Sequence, residues 1–159
     1  MKSYSAKLKT PFAVLGVVTG GETLQAIDFL PRDASLLAPR DALAEETRRQ
    51  LQAYLAQPGF RFDLPLNPRG TPYRQRVWQV LLGIPSGATR CYGDIAEELG
   101  SAALAVGQAC GANPLPLVIP CHRVLARHGL GGFMHRRDGD ALDIKRWLLE
   151  HERQRPSAA

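Results

Sequence analysis

Hydrophobic and polar positions follow one rhythm over roughly the first 66 residues and another beyond residue 70. Tyr4, Ala6 and Leu8 alternate with Ser5, Lys7 and Lys9, the period-two pattern of a strand with one buried face. An apolar run over 12–18, the Gly20-Gly21 pair and a second extended pattern over 23–29 predict a β-hairpin, closed by Pro31. From Pro39 to Ala56 the spacing turns helical. Leu43, Ala44, Thr47, Leu51, Tyr54 and Leu55 share a face, and Pro58-Gly59 ends the segment. Residues 60–66 read as one more strand. Asn67-Pro68-Arg69-Gly70 is turn chemistry, so we expect a domain over 1–66, a linker over 67–70 and a second domain over 71–159.

The second half is mostly helical in pattern. Thr71-Pro72 is an N-cap with proline at the first helical position, and 73–82 follows with Val77, Val80 and Leu81 on one face until Gly83. A short helix over 92–99 is closed by Gly100, and Ser101 is placed to cap another running to about Cys110. Two short helices with a tight turn have the outline of a helix-turn-helix. The second is built from Ala102, Ala103, Ala105, Gly107 and Ala109, which suits close packing, or insertion into a narrow groove. Residues 117–119 predict a short buried strand that Pro120 ends. Residues 127–139 read as loop. Asp140 is expected to cap a last helix to about Arg153 with Leu142, Trp147 and Leu148 inward, and the remainder reads as a frayed tail.

Composition narrows the class. With 159 residues, 45% of them hydrophobic, the chain can bury a real core and is not a disordered protein. No run reaches the roughly 18 apolar residues of a membrane span, and no apolar signal core follows Lys2, so a cytoplasmic protein is expected. Three cysteines without paired spacing fit a reducing compartment and offer no zinc motif. Twenty Lys and Arg against fifteen Asp and Glu fit either a mildly basic surface or a polyanion partner, and charge alone does not choose.

The chemistry centres on Cys121-His122. A thiol attacks as thiolate and needs a base or positive charge near it. Neighbouring residues in extended chain point apart, so a water between Cys121 and His122 is expected rather than direct contact. The imidazole then needs an orienting carboxylate, for which Asp94, Asp143, Glu150 and Glu152 are candidates. A packed core cysteine beside a surface histidine fits the same spacing. Cys91 and Cys110 read as core thiols, and His128, His135 and His151 as surface residues.

Asn113-Pro114-Leu115-Pro116 followed by Pro120-Cys121-His122-Arg123-Val124 resembles the active-site signature of the O6-alkylguanine-DNA alkyltransferases. The likeness extends from about Gly70 to Glu152. It takes in Tyr73-Arg74-Gln75-Arg76-Val77-Trp78, Ile84-Pro85-Ser86-Gly87, Cys91-Tyr92-Gly93, Ala105-Val106-Gly107 and Lys145-Arg146-Trp147-Leu148-Leu149-Glu150-His151-Glu152. It implies an α/β protein, with a small ribonuclease H-like sheet-plus-helix domain ahead of a helical domain carrying a winged-helix-like helix-turn-helix.

The resemblance also implies a reaction: irreversible, single-turnover transfer of an alkyl group from O6 of guanine, and also O4 of thymine, in a flipped-out base to Cys121. His122 acts through a water as base, Glu152 orients it, Tyr92 protonates the leaving guanine, and Asn113 ties the helix pair to the active-site segment. Ala102, Ala103, Leu104, Ala105, Gly107 and Arg123 are implied DNA contacts, and Pro116, Phe133 and Met134 the alkyl pocket. The implied partner is double-stranded DNA bound through the minor groove by a monomer that joins the nucleoid. No metal, cofactor or membrane is implied.

Two departures stand out. Leu104 occupies the place of the family's intercalating arginine, and Met134-His135-Arg136-Arg137-Asp138-Gly139-Asp140 is longer and more charged than the usual connection to the last helix. The missing arginine gives some room to a binder that recognises alkylated bases without reacting. That class lacks the cysteine, which this chain keeps with His122 and Glu152. A cysteine hydrolase or a transcriptional regulator finds no support in the remaining residues.

Overall fold

The alternation at the N-terminus forms a three-stranded antiparallel sheet in a computed structural model that describes residues 2–135 and 139–153. Strand β1 (Ala6–Lys9) pairs with β2 (Val14–Gly20), placing Ala6 opposite Val17, and β2 pairs with β3 (Thr23–Leu30), placing Val14 opposite Leu30. The second strand starts two residues later than the apolar run. Thr10 explains this, because its hydroxyl donates to the Ala13 carbonyl at 2.6 Å and accepts from the amides of Phe12 and Ala13, closing a turn. Leu15, Val17, Leu24 and Ile27 fill the core of this unit with Ala44, Leu51 and Tyr54 of helix α1 (Ala42–Ala56). That helix begins where Asp41 accepts a hydrogen bond from the Ala44 amide at 2.7 Å.

Residues 60–66 do not form the expected strand. The Gln50 side chain takes both backbone groups of Asp63, each at 2.9 Å, and Phe62 turns onto Tyr54 with ring centroids 5.6 Å apart. With its polar groups met by a side chain and with Pro65 lacking an N–H, the segment makes only one parallel bridge, Leu66 to Leu24.

The described residues divide between Arg69 and Gly70 into two compact units. The second contains α2 (Pro72–Leu82), α3 (Tyr92–Leu99), α4 (Ala103–Gly111) and α5 (Gly139–Arg153), with a two-residue parallel pair between β4 (Arg90–Cys91) and β5 (Val124–Leu125). Thr71 caps α2 through the Arg74 amide, and Val77, Trp78 and Leu81 are buried while Val80 is only half-buried. The Trp78 indole donates to the Ala109 carbonyl at 2.9 Å, tying α2 to α4. Gly100, at φ 63°, ends α3. Ser101 does not cap α4. Its hydroxyl pairs with the Tyr73 phenol at 2.8 Å, and the N-cap position of α4 falls one residue later, on Ala102, without a side-chain cap.

Asp140 lies inside the first turn of α5 rather than capping it. The inward face of α5 is Leu142, Ile144, Lys145, Leu148 and Glu152, whereas Trp147 is half-buried and stacks on His151 at 4.8 Å. No helix among the described residues is long and apolar enough to cross a membrane. Of the long connection after Phe133, Arg136, Arg137 and Asp138 lie outside the described residues.

Candidate active site

Cys121 stands at the start of a single 3-10 turn (Cys121–Arg123), and the segment before it is a turn rather than a strand. Leu117 takes a left-handed φ of 71°, the Ile119 amide bonds back to the Leu115 carbonyl at 2.8 Å, and Pro114, Pro116 and Pro120 offer no donors for a ladder. Asn113 closes this loop. Its carboxamide oxygen accepts from the Leu115 amide at 2.9 Å and its Nδ2 donates to the Ile119 carbonyl at 2.8 Å; the same carbonyl accepts from the Cys121 amide. The short β5 strand then anchors the far end on Arg90 and Cys91, immediately before Tyr92 opens α3.

Behind the thiol lies a buried polar group of three residues. His122 Nε2 is 2.7 Å from Glu152 Oε2, and Arg123 grips the same carboxylate twice, from Nε to Oε1 at 2.9 Å and from Nη2 to Oε2 at 3.0 Å. Arg123 also donates to the Ile84 carbonyl at 2.6 Å. Burial by itself would raise the Glu152 pKa, yet the hydrogen bonds from His122 and Arg123 hold it well below the usual carboxylate range. Burial pushes the His122 pKa down against the pull of Glu152. The consistent state is a carboxylate accepting from Nε2–H of a neutral imidazole. His122 Nδ1, buried and with no hydrogen bond among the described residues, then carries the free lone pair.

The thiol is 3% exposed. Burial raises its pKa to about 11, while the Asn113 side chain and the Lys145 charge oppose that rise. Lys145 is fully buried and donates to the carbonyls of Val124, Leu130 and Gly132 at 2.7–2.8 Å; its ammonium lies 3.5 Å from the Tyr92 hydroxyl. Burial lowers its pKa to about 8, against the upward pull of Cys121 and Cys110. Gly131, at φ 74°, fits because a side chain there would stand 2.8 Å from the Tyr92 ring.

A cavity of about 700 Å3 opens on Cys121. Of the residues expected in DNA contact or alkyl pocket, Ala103, Leu104, Gly107, Phe133 and Met134 line it with Tyr92. Ala102 is exposed and Ala105 half-buried on α4, neither lining it. Leu104 is 68% exposed.

Two expectations are corrected. Arg123 is buried and its guanidinium is committed to Glu152 and Ile84, so it presents nothing to DNA. Pro116 is buried within the proline turn and does not line the cavity. Among the carboxylate candidates, Asp94, Asp143 and Glu150 are exposed, and Glu152 alone reaches His122. Cys110 is buried and also lines the cavity; Cys91 is only half-buried, outside the core where it was expected.

Residues 72–154 match the family model described as 6-O-methylguanine DNA methyltransferase, DNA binding domain. The chain belongs to the 6-O-methylguanine DNA methyltransferase family. It is 47% identical over 112 residues to the methylated-DNA–protein-cysteine methyltransferase of Mycobacterium tuberculosis, a match covering 69% of this chain and 65% of that relative. The corresponding protein of Methanosarcina acetivorans is 35% identical over 157 residues, covering 94% of this chain and 97% of its own length. A crystal structure of Mycobacterium tuberculosis OGT in complex with DNA superposes with a TM-score of 0.77 at 36% identity, covering 95% of this chain and 94% of that one. The methyltransferase family thus accounts for the mixed α/β arrangement, a small antiparallel sheet followed by packed helices.

Lys145 is the residue of this site that the sequence reading did not single out. The signal was present. Lys145 lies three residues from both Leu142 and Leu148, on the apolar stripe of α5, where an unpaired lysine would be costly to bury.

Proposed function

We propose that this chain is a single-turnover DNA repair protein that moves an alkyl group from O6 of guanine, and from O4 of thymine, to the Cys121 sulfur. The observation that carries the reading is the His122–Glu152 pair at 2.7 Å, set behind a thiol that opens on a cavity. The Cys121 proton passes through a water to His122 Nδ1, and Glu152 stabilises the imidazolium that forms. Lys145 and Asn113 support the thiolate. Its sulfur displaces the alkyl carbon in line; the S–C bond forms as the C–O6 bond breaks, and Tyr92 gives the departing guanine a proton. A thioether between carbon and a buried sulfur has no ready leaving route, so each molecule reacts once. The reaction so written uses no metal or cofactor.

The same reading assigns the rest of the chain. The alkylated base must leave the stack to reach Cys121. Helices α3 and α4 act as a winged-helix-like helix-turn-helix, with Ala102, Ala103, Leu104, Ala105 and Gly107 entering a minor groove about 6 Å wide. The first 66 residues serve as a ribonuclease H-like scaffold, 67–70 as linker, and the protein works as a monomer on duplex DNA. In support, Ala103 and Gly107 of α4, which carry little side-chain bulk, line the cavity.

The test is intact mass after incubation with an oligonucleotide carrying O6-methylguanine. A gain of one methyl group, absent in Cys121→Ala, is expected. Tight binding with no gain in mass would overturn the reading in favour of a lesion binder.

A further inference from the structure

Among the residues of α4 that are not buried, only Leu104 and Gln108 carry a side chain longer than a methyl group; the others are alanine and glycine. Leu104 and Gln108 stand four residues apart. At that spacing two Cβ atoms are neighbours about 5–6 Å apart, and the later side chain leans back over the turn that holds the earlier one. Both are exposed, and both line the cavity that opens on Cys121. The opposite face of the helix is fixed, with Val106 and Ala109 buried and the Ala109 carbonyl accepting from the Trp78 indole. The Gln108 carbonyl accepts from the Ala112 amide at 3.0 Å, but its carboxamide makes no hydrogen bond among the described residues.

Extruding a base from a duplex leaves a gap in the stack and a partner base whose donors and acceptors have lost their mates. Leu104 fills such a gap as an apolar wedge does, yet it shields the abandoned base from water and returns no hydrogen bond. Polar groups shut away from water without partners oppose the extruded state. A carboxamide answers that deficit for either pyrimidine, because its oxygen accepts while its NH2 donates. Tyr92, deeper in the site, is already committed to the Gly132 carbonyl and to Lys145. Gln108 is free, and it lies one helical turn from the wedge.

We infer that Gln108 is a positioning residue for base extrusion: its carboxamide hydrogen-bonds the base left unpaired opposite the lesion while Leu104 occupies the vacated stack. This rests on the function proposed above. Apolar filling and hydrogen bonding, which a single arginine would combine, fall here to two side chains on one face of α4. Gln108 takes no part in the displacement at Cys121. It stabilises the state in which the alkylated base is out of the stack, and so sets how often that base reaches the thiol.

The experiment measures single-turnover methyl transfer to Cys121 from duplexes carrying O6-methylguanine opposite cytosine, thymine or an abasic residue, and from the single strand. The variant is Gln108→Met, which keeps side-chain length and helix preference at an exposed position and removes the amide. Transfer opposite cytosine and thymine should fall roughly threefold to tenfold, the worth of one neutral hydrogen bond, while the abasic duplex and the single strand stay within about twofold. Rates opposite cytosine and thymine that change by less than about twofold overturn the inference. Equal slowing on all four substrates also overturns it, since the carboxamide would then act on the alkylated guanine itself. So does a matching loss of affinity for undamaged duplex, which would make Gln108 a backbone contact. If the unaltered chain takes no methyl from any of the four, the proposed function falls, and this inference with it.

Discussion

Glu152 Oε2 stands 2.7 Å from Nε2 of His122, and both side chains are sealed from solvent. One carboxylate orients the base and at the same time neutralises Arg123, so site geometry and fold stability share a single group.

Glu152→Gln therefore has two consequences. The amide leaves Arg123 buried without a counter-charge, which should destabilise the fold by about 3–5 kcal/mol. It also loosens the tautomer of His122, and single-turnover transfer should fall by roughly a hundredfold or more. Denaturant unfolding and adduct formation under folding conditions measure the two separately.

Acid stability follows from the same carboxylate. The Glu152 pKa in the folded state is depressed, so its contribution is fully present above the unfolded value of about 4.3 and is lost as pH falls through the folded value. Stability should decline steadily below about pH 4. Arg123→Met removes one cause of the depression and should make that decline shallower, from a lower starting stability. Urea midpoints measured from pH 7 to pH 3 check both.

The transfer rate should be level with pH through neutrality, because His122 is already neutral there and takes the proton of a thiol that stays protonated up to about 11. Above about pH 8 the rate should fall as Lys145 loses the charge that supports the thiolate. Lys145→Met should slow transfer across the range and remove the fall. A pH–rate profile of single-turnover alkylation decides it.

Leu104, 68% exposed at the cavity rim, can wedge a base step apart but cannot hydrogen-bond the base left behind. Leu104→Arg should speed transfer from duplex DNA and add about 0.9 to the slope of log affinity against log salt. Transfer from a short single strand, where no base must be extruded, should change little. Equal effects on both substrates would argue against a wedge.

Local pattern made much of this protein legible. The hairpin, both long helices, the Thr71 cap and the Gly100 stop depend on periodicity and on groups within a few residues, which the chain displays directly. Cys121, His122 and Glu152 were legible through motif resemblance, and the structure brings the last two together. Where competition between distant groups decided the outcome, inspection failed. Gln50 took the backbone of Asp63 from a strand, Tyr73 took Ser101 from its cap, and Asn113 closed a turn over 113–119 although 117–119 read as a strand by apolarity.

The sequence by itself determined the helical and extended segments and the set of reactive groups, because those rest on neighbours in the chain. Only the tertiary structure decided their partners. Arg123 follows His122 directly and reads as an exposed DNA contact, yet it points inward because Glu152 and the Ile84 carbonyl converge on it from other elements. Lys145 takes its place from the carbonyls of Val124, Leu130 and Gly132, which lie outside its own helix. A buried charge must find its counter-charge and donors in three dimensions, and no linear spacing states where those will be.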